Sequence, residues 1–297
     1  MNLPADPGPS VCDRTDPVAK TRWPWLRWIA LSILSYIVVV GIIMSLENSL
    51  IYSPSVYPAG FWTPHYLNFE DAWFAAPDGT KLHGWYVPHA NPRAVVLFAH
   101  GNAGNLSHRA DIVAVLVRRL DVSVMIFDYR GYGRSTGKPT EQGVLADARA
   151  ARHWLAQRTK SDESQIVLMG ESLGGGVMVD LAAKDGARGL VLENTFSSLP
   201  EVGAYHYPWF PVKLLMRTRF DSVGKISKYH GPLLQIHGDA DRIVPFSLAE
   251  RLFKAANEPK QLVIIPDGDH NDPRTPVFFK ALDQFIERLP SLEKKSS

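Results

Sequence analysis

Cysteine is almost absent from this chain of 297 residues, because the single one, Cys12, lies near the N-terminus. One cysteine closes no disulfide within the chain, and it leaves neither a thiolate metal cluster nor a cysteine nucleophile in the rest of the sequence. The spacings of histidine and aspartate also resemble no set of metal ligands. We therefore expect no metal and no cofactor. The single cysteine neither requires nor excludes an oxidising compartment.

An excess of charge of either sign is missing too. The chain has 32 Lys and Arg against 30 Asp and Glu, which gives a formal net charge of +2. A chain this balanced offers no extended basic surface, so we expect no nucleic-acid partner. Hydrophobic residues make up 45% of the chain and charged residues 21%, which excludes a disordered chain and a collagen-like repeat.

One stretch lacks charge altogether. Residues 28–46 are 19 consecutive uncharged residues, and a helix of that length is roughly 28 Å long, about the thickness of the hydrocarbon core of a bilayer. A buried core helix would show a polar stripe, and a signal peptide would have a shorter apolar region that ends in small residues. The sequence therefore predicts a transmembrane helix at residues 28–46.

The flanks of this helix predict its orientation. Lys20, Arg22 and Arg27 precede it, whereas no Lys or Arg occurs between Glu47 and Thr80. The positive-inside rule then makes residues 1–27 a cytoplasmic tail and places the rest of the protein on the extracytoplasmic side of a single-pass membrane protein.

The remaining sequence predicts one large α/β domain at residues 68–290, after a connector at residues 47–67 and before a short tail at residues 291–297. A Pro-Asp-Gly turn at residues 77–79 separates two β-rich runs that are typical of a hairpin. Six short apolar runs follow, at residues 94–100, 122–128, 165–170, 189–194, 232–238 and 261–266. Runs this apolar, alternating with amphipathic helical stretches, predict a mainly parallel sheet with helices on both faces.

Functional residues are expected where the strands of such a sheet end. Residues 196–229 contain an aromatic segment between two strand runs, and they predict a short cap over those ends. Two segments match G-x-S-x-G, namely residues 170–174 and 133–137. Ser172 directly follows an apolar run and opens a helical segment, whereas Ser135 lies in a glycine-rich loop. Strand, turn and helix are in place only at Ser172, which we predict to be a nucleophile.

A serine nucleophile needs a base and a carboxylate that orients the base. His270 follows the last strand run, at the edge where a loop can reach Ser172. The strand before it ends in H-G-D-A-D at residues 237–241, which offers two carboxylates, Asp239 and Asp241. The residues alone leave both carboxylates open as the partner of His270.

Residues 68–288 resemble the α/β-hydrolase superfamily, in particular membrane-anchored α/β-hydrolase-domain proteins that include depalmitoylases, bud-emergence-related hydrolases and serine aminopeptidase-like hydrolases. The segments that carry the resemblance are HGNAGN at residues 100–105, DYRGYG at 128–133, GESLG at 170–174, ENTF at 193–196, HGDADRIVP at 237–245 and DHN at 269–271.

The resemblance implies a role for each candidate. Ser172 is the expected nucleophile and His270 the base, and the acid, four residues after the histidine of the H-G-x-x-D segment, is Asp241. The oxyanion hole is expected from two backbone N–H groups. One belongs to Leu173, which follows the nucleophile, and the resemblance implies Asn102 for the other.

These features together predict a membrane-anchored serine hydrolase that cleaves carboxylic ester or thioester bonds of a small-molecule or lipid-like acyl substrate through an acyl-enzyme. Two alternatives stay open. One is a serine peptidase of the same fold, and the other is a noncatalytic binding protein tethered to the membrane.

Overall fold

The structure is a computed structural model that describes Met1, Gly8 and residues 23–290. Apart from Met1 and Gly8, the tail predicted before residue 23 lies outside the described residues, as does the tail predicted at residues 291–297. The chain divides into two compact units, Met1–Ile43 and Met44–Ser297.

The first unit contains most of helix α1, Pro24–Ser45. The segment Trp25–Ser45 is long and apolar enough to cross a membrane, and none of it is buried. It overlaps the span predicted at residues 28–46. A helix of this kind near an N-terminus serves as a membrane anchor or as a signal sequence.

The second unit is built from strands and helices that alternate along the chain. Its strands are β1 (Ser53–Pro54), β2 (Glu70–Ala75), β3 (Lys81–Val87), β4 (Ala94–Ala99), β5 (Ala103–Gly104), β6 (Val122–Asp128), β7 (Val167–Glu171), β8 (Gly189–Glu193), β9 (Leu233–Gly238) and β10 (Lys260–Ile265). Its helices are α2 (Glu47–Ile51), α3 (Ala110–Leu120), α4 (Glu141–Thr159), α5 (Leu173–Asp185), α6 (Leu199–His206), α7 (Val212–Leu215), α8 (Ser222–Ile226), α9 (Phe246–Ala255) and α10 (Pro276–Glu287). Single 3₁₀ turns form at Leu106–Arg109 and Glu163–Gln165.

Eight strands form one sheet in the order β10-β9-β8-β7-β4-β6-β3-β2. Six of them run parallel, and the predicted hairpin β2–β3 adds two antiparallel strands at one edge. The mainly parallel α/β fold predicted from the sequence is therefore confirmed. The carboxyl ends of the six parallel strands meet at one edge of the sheet, where the predicted site residues follow them.

Both faces of the sheet are covered, which explains why its central strands read as unbroken apolar runs. Every residue of β4 is buried. Successive side chains of a strand point to opposite faces, so Leu97 packs in the core with α4 and α5, whereas Val96 and Phe98 pack in the core with α3 and α10.

Two segments of the second unit lie outside the eight-stranded sheet. Helices α6, α7 and α8 lie within residues 196–229, where the sequence predicts a cap. Residues 47–67, treated as a connector from the sequence, lie in the second unit and contain α2 and β1. Tyr52 and Trp62 of this segment are buried, so the connector packs as part of the domain.

Candidate active site

Ser172 lies on the turn between β7 and α5 with an unusual backbone conformation, φ +53° and ψ −116°. A Cβ on Gly170 would lie 2.4 Å from the carbonyl oxygen of Gly174, and a Cβ on Gly174 would lie 2.1 Å from that of Ala99. Glycine is therefore required on both sides of the serine. The turn projects Ser172 from the carboxyl edge of the sheet at the N-terminus of a helix, where partial positive charge favours a developing anion.

The structure brings His270 and Asp241 to this serine. His270 Nε2 lies 3.0 Å from Ser172 Oγ, and His270 Nδ1 lies 2.7 Å from Asp241 Oδ2. Because a carboxylate only accepts, Nδ1–H donates to Asp241, and Nε2 is left to accept from the serine hydroxyl. The three side chains come from the loops after β7, β9 and β10 and form one continuous series of hydrogen bonds.

Asp241 is held as a carboxylate. Its Oδ1 accepts from the backbone N–H groups of Ile243 at 2.9 Å and Val244 at 2.7 Å. Burial raises the pKa of Asp241, but hydrogen bonds from His237 and His270 outweigh burial and hold that pKa well below its ordinary value. His237 is fixed in turn, since its Nε2 lies 2.8 Å from the carbonyl oxygen of Val244.

The other carboxylate of the segment, Asp239, has a different partner. Its Oδ1 accepts from the backbone N–H of Asp267 at 2.7 Å, and it thereby ties the loop after β9 to the loop after β10. Asn194 holds the same two loops. Its Nδ2 donates to the carbonyl oxygen of His270 at 3.0 Å, and its Oδ1 accepts from the N–H of Gly238 at 3.2 Å. Sequence reasoning assigned no role to Asn194.

On the other side of Ser172 lies the loop that contains Gly101 and Asn102. A Cβ on Gly101 would be 3.5 Å from the Cβ of Ser172, so this backbone passes directly beside the serine. Two residues that are distant in the sequence hold Asn102. Its side-chain Nδ2 donates to the backbone carbonyl oxygen of Ile51 at 2.5 Å, and the hydroxyl of Tyr132 donates to the backbone carbonyl oxygen of Asn102 at 2.8 Å. Leu173, the first residue of α5, supplies an N–H that has no partner within its own helix.

The connector supports this loop over several residues. Strand β1 pairs with β5 in a parallel two-stranded sheet directly after Asn102. The side-chain amide of Asn105 donates to the carbonyl oxygens of Ser55 at 3.0 Å and Ala59 at 2.8 Å. No pattern in the sequence predicts these contacts, because they join segments about fifty residues apart.

A partly buried ion cluster joins the segment after Asn102 to the loop after His270. Glu171 and Glu193 end the neighbouring strands β7 and β8 in direct register. Glu171 accepts from Arg109 at 2.6 Å and from Arg274 at 2.8 Å, and Arg274 also binds Glu193 at 2.8 Å. Two carboxylates side by side at strand ends require cations, and Arg109 and Arg274 supply them.

Electrostatics differ between the two glutamates. Burial raises the pKa of Glu171, but the charges of Arg109 and Arg274 outweigh burial and lower it to about 2. Burial is the larger effect at Glu193, and it raises the pKa of that carboxyl although Arg274 opposes it. Glu171 is thus the firmly ionised member of the cluster.

Ser135, the serine of the other G-x-S-x-G segment, is not part of this site. It is buried, its hydroxyl donates to the carbonyl oxygen of Asp128 at 2.8 Å, and it accepts from the N–H of His83 at 3.0 Å. These contacts make Ser135 a structural residue of the loop after β6. In the described part of the chain, no three His, Cys, Asp or Glu side chains are arranged to hold a metal ion.

Comparison with known proteins places the fold in a family. Residues 90–223 match the family described as serine aminopeptidase, S33. The chain is 33% identical over 288 residues to the alpha/beta hydrolase domain-containing protein WAV2 of Arabidopsis thaliana, which covers 86% of this chain and 92% of that protein. The chain belongs to the α/β-hydrolase superfamily.

Two further comparisons agree with the membership of this α/β hydrolase in the superfamily. It is 31% identical over 254 residues to the protein bem46 of Schizosaccharomyces pombe, covering 80% of this chain and 84% of that protein. Its structure is similar to the esterase Pf2001 of Pyrococcus furiosus, with a TM-score of 0.65 and 19% identity over 80% of this chain and 99% of that one. The superfamily predicted from the sequence motifs is confirmed.

Proposed function

We propose that this α/β hydrolase is a membrane-anchored serine hydrolase that cleaves carboxylic ester or thioester bonds. The observation that carries the proposal is the hydrogen-bonded series Ser172–His270–Asp241, with its distances of 3.0 Å and 2.7 Å. A serine hydroxyl is a weak nucleophile until a base takes its proton, and this arrangement supplies both the base and the group that orients it.

The proposed reaction begins when Ser172 Oγ attacks the acyl carbonyl carbon and its proton passes to His270 Nε2. Asp241 stabilises the imidazolium that forms, and the N–H groups of Leu173 and Asn102 bind the tetrahedral oxygen. His270 then gives the proton to the leaving alcohol or thiol. Water, deprotonated by the same imidazole, attacks the acyl-enzyme, and the acid leaves as Ser172 regains its proton.

Esters and thioesters are favoured by the leaving groups and by the cap. Alcohols and thiols leave more easily than amines, and the exposed aromatic side chains of the cap suit an acyl chain. A peptidase is the second candidate, because the matched family is described as serine aminopeptidase. Against it, Glu171 and Glu193, which end the strands beside Ser172, are both bound to arginines, so neither is free to bind a substrate amine.

A substrate panel tests this proposal. The full-length protein and Ser172→Ala are compared on acyl esters and acyl thioesters of increasing chain length and on peptide amides. We expect hydrolysis of esters and thioesters that disappears in Ser172→Ala. Cleavage of amides alone would support the peptidase, and no hydrolysis of any series would support a noncatalytic binding protein.

The anchor is the second part of the proposal. We propose that residues 28–46, of which 28–45 belong to α1, form a single membrane span with the N-terminus in the cytoplasm and the catalytic unit on the extracytoplasmic side. Intact mass of the mature protein distinguishes an anchor, which is retained, from a signal sequence, which is removed. A reporter that is active only outside the cytoplasm, fused to the C-terminus, should be active. Activity of a reporter that works only in the cytoplasm would show that the orientation is the opposite one.

A further inference from the structure

We infer that the outer surface of the cap rests on the lipid bilayer. This surface consists of Tyr207, Trp209 and Leu214, and we call it the cap surface. The inference rests on the proposed membrane anchoring. It adds that the catalytic unit itself contacts lipid through a defined set of side chains.

Large apolar side chains of the cap surface are turned to the outside. Trp209 is 76% exposed, Leu214 82% and Tyr207 55%. The aromatic rings form a contiguous group, since the ring centres of Tyr207 and Trp209 are 6.3 Å apart and those of Trp209 and Phe210 5.9 Å. A contiguous group of exposed aromatic side chains marks an interaction surface.

The polypeptide that leaves α1 is fixed to this part of the cap. The carboxylate of Glu47, two residues after the end of α1, accepts from the backbone N–H groups of Arg217 at 3.1 Å and Thr218 at 2.7 Å. Arg217 also donates to the carbonyl oxygen of Met44 at 2.5 Å. Leu214 is three residues from Arg217, so their Cα atoms are at most about 11 Å apart. A membrane at the end of α1 therefore lies close to the cap.

The chemistry of the segment fits lipid headgroups. Residues 205–219 contain no Asp or Glu, and they carry the exposed cations Lys213, Arg217 and Arg219. Lys213 lies 3.9 Å from Glu201 and Arg217 lies 3.6 Å from Glu47, but both cations keep most of their side chains exposed. Tryptophan and tyrosine favour the interface between lipid and water, and lysine and arginine favour anionic headgroups. Aromatic rings interleaved with cations beside a membrane span favour a lipid surface over a protein partner.

The cap surface also adjoins the candidate active site. His206 Nε2 donates to the carbonyl oxygen of Ile243 at 2.9 Å. Ile243 is two residues after Asp241, and its own N–H binds the carboxylate of that residue. The aromatic end of the cap is thus fixed to the loop that carries Asp241. The cap surface is thereby connected through Ile243 to the carboxylate that binds His270, and we expect a lipid-like acyl compound as the substrate class.

Site-specific fluorescence tests this placement in the full-length protein. Replacing the only cysteine by Cys12→Ser gives a background for Trp209→Cys and Leu214→Cys, both at exposed positions where substitution costs little stability. The control is Asn91→Cys, an exposed residue before β4, at the edge of the sheet opposite Ser172. Each variant carries a polarity-sensitive fluorophore and is reconstituted into vesicles of phosphatidylcholine and phosphatidylglycerol, with or without nitroxide-labelled lipid.

We expect the nitroxide lipid to remove most of the emission at positions 209 and 214 and to leave the emission at position 91 unchanged. If the protein sediments with the vesicles but shows no lipid quenching at positions 209 and 214, the contact of the cap surface with lipid is refuted while the anchor is not. A blue shift at these positions without lipid quenching indicates contact with protein, and it also refutes the contact with lipid. Protein that fails to sediment with the vesicles refutes the anchor and the cap surface together.

Discussion

The two sides of Ser172 are built in different ways. On the side of the proposed base, which we call the base side, His270 and Asp241 each lie in a loop that directly follows a strand, and their own side chains make the hydrogen bonds. On the side of the proposed oxyanion hole, which we call the oxyanion side, the loop of Asn102 is held by Ile51 and Tyr132, which are 51 and 30 residues away along the chain. The base side depends on a few side chains at motif positions, whereas the oxyanion side depends on many long-range contacts around a backbone.

This difference predicts how the two sides respond to substitution. A side-chain substitution on the base side removes a group that touches the reacting atoms. On the oxyanion side the proposed donors are backbone N–H groups, so a substitution only loosens their support. Losses of activity should therefore be large on the base side and small on the oxyanion side.

Ser172→Ala has the largest expected effect. Removing the nucleophile of a comparable catalytic triad lowers kcat by about 10⁶-fold, and we expect a loss of this size in ester hydrolysis. Ser135→Ala is the matched control, because Ser135 occupies the same position in the other G-x-S-x-G segment. Its activity, expressed per folded protein, should stay near that of the wild type; a loss equal to that of Ser172→Ala would mean that the two segments do not differ in role.

Asp241→Asn comes next. Asparagine cannot stabilise the imidazolium and favours the wrong tautomer of His270, a change that costs about 10⁴-fold in kcat in a comparable triad. Asp239→Asn tests the neighbouring carboxylate, which binds the backbone of Asp267. Steady-state kinetics should show a far smaller loss for Asp239→Asn, and the reverse ranking would assign the acid to Asp239.

Glu171 lies between the two sides, and its substitution should change the pH dependence of stability. The folded-state pKa of Glu171 is lowered to about 2, against about 4.5 in the unfolded chain. A carboxyl with a lowered pKa stabilises the fold above the unfolded pKa, and that stability is lost as pH falls from about 4.5 towards 2. The contribution at neutral pH is at most on the order of 3 kcal/mol.

Thermal unfolding of the wild type and Glu171→Gln across pH 6 to 3 measures this contribution. The difference in stability between the two proteins should shrink as pH falls below about 4.5. Glu193, whose pKa is raised, contributes to the pH dependence of stability with the opposite sign. Both proteins contain Glu193, so subtracting their stabilities reduces its contribution. A difference that is constant over this range would show that Glu171 is not held ionised by Arg109 and Arg274.

Asn102→Ala has the smallest expected effect. It removes the hydrogen bond to Ile51 and the side-chain acceptor of the Tyr132 hydroxyl, which keeps the backbone carbonyl of residue 102 as its partner. The backbone N–H of residue 102 remains, so we expect a loss in kcat of roughly fivefold, equivalent to one neutral hydrogen bond of about 1 kcal/mol. Tyr132→Phe, which removes the donor to the carbonyl oxygen of Asn102, should behave similarly. A loss as large as that of Asp241→Asn would remove the distinction between the two sides.

A double-mutant cycle sharpens the same distinction. Because Ile51 and Tyr132 hold one loop, the effects of Asn102→Ala and Tyr132→Phe should be coupled rather than additive. Asn102→Ala and Asp239→Asn share no contact, so their effects should add. Additive effects within the first pair would show that the loop does not respond as one unit.

The sequence predicted the base side because its signals are local. The apolar run before Ser172 distinguishes it from Ser135, and His270 is distinguished by its place after the last strand. Only the family resemblance favours Asp241 over Asp239, since both residues follow the same strand. In the structure Asp241 contacts His270 and Asp239 contacts Asp267.

The oxyanion side and the ion cluster were not predictable in the same way. The pairing of β1 with β5 joins residues fifty positions apart and carries no hydrophobic pattern. Arg109 and Arg274 are ordinary surface residues in the sequence, and they acquire their role only when β7 and β8 place Glu171 beside Glu193. Contacts of this kind depend on the register of strands, which a hydrophobic pattern does not specify.

Covalent labelling with a fluorophosphonate tests whether Ser172 is the activated serine. Intact mass and peptide mapping should show one label per chain, attached to Ser172, no label in Ser172→Ala, and much slower labelling in Asp241→Asn than in Asp239→Asn. A label on another residue, or labelling of Ser172→Ala at the wild-type rate, would contradict the assignment of the nucleophile.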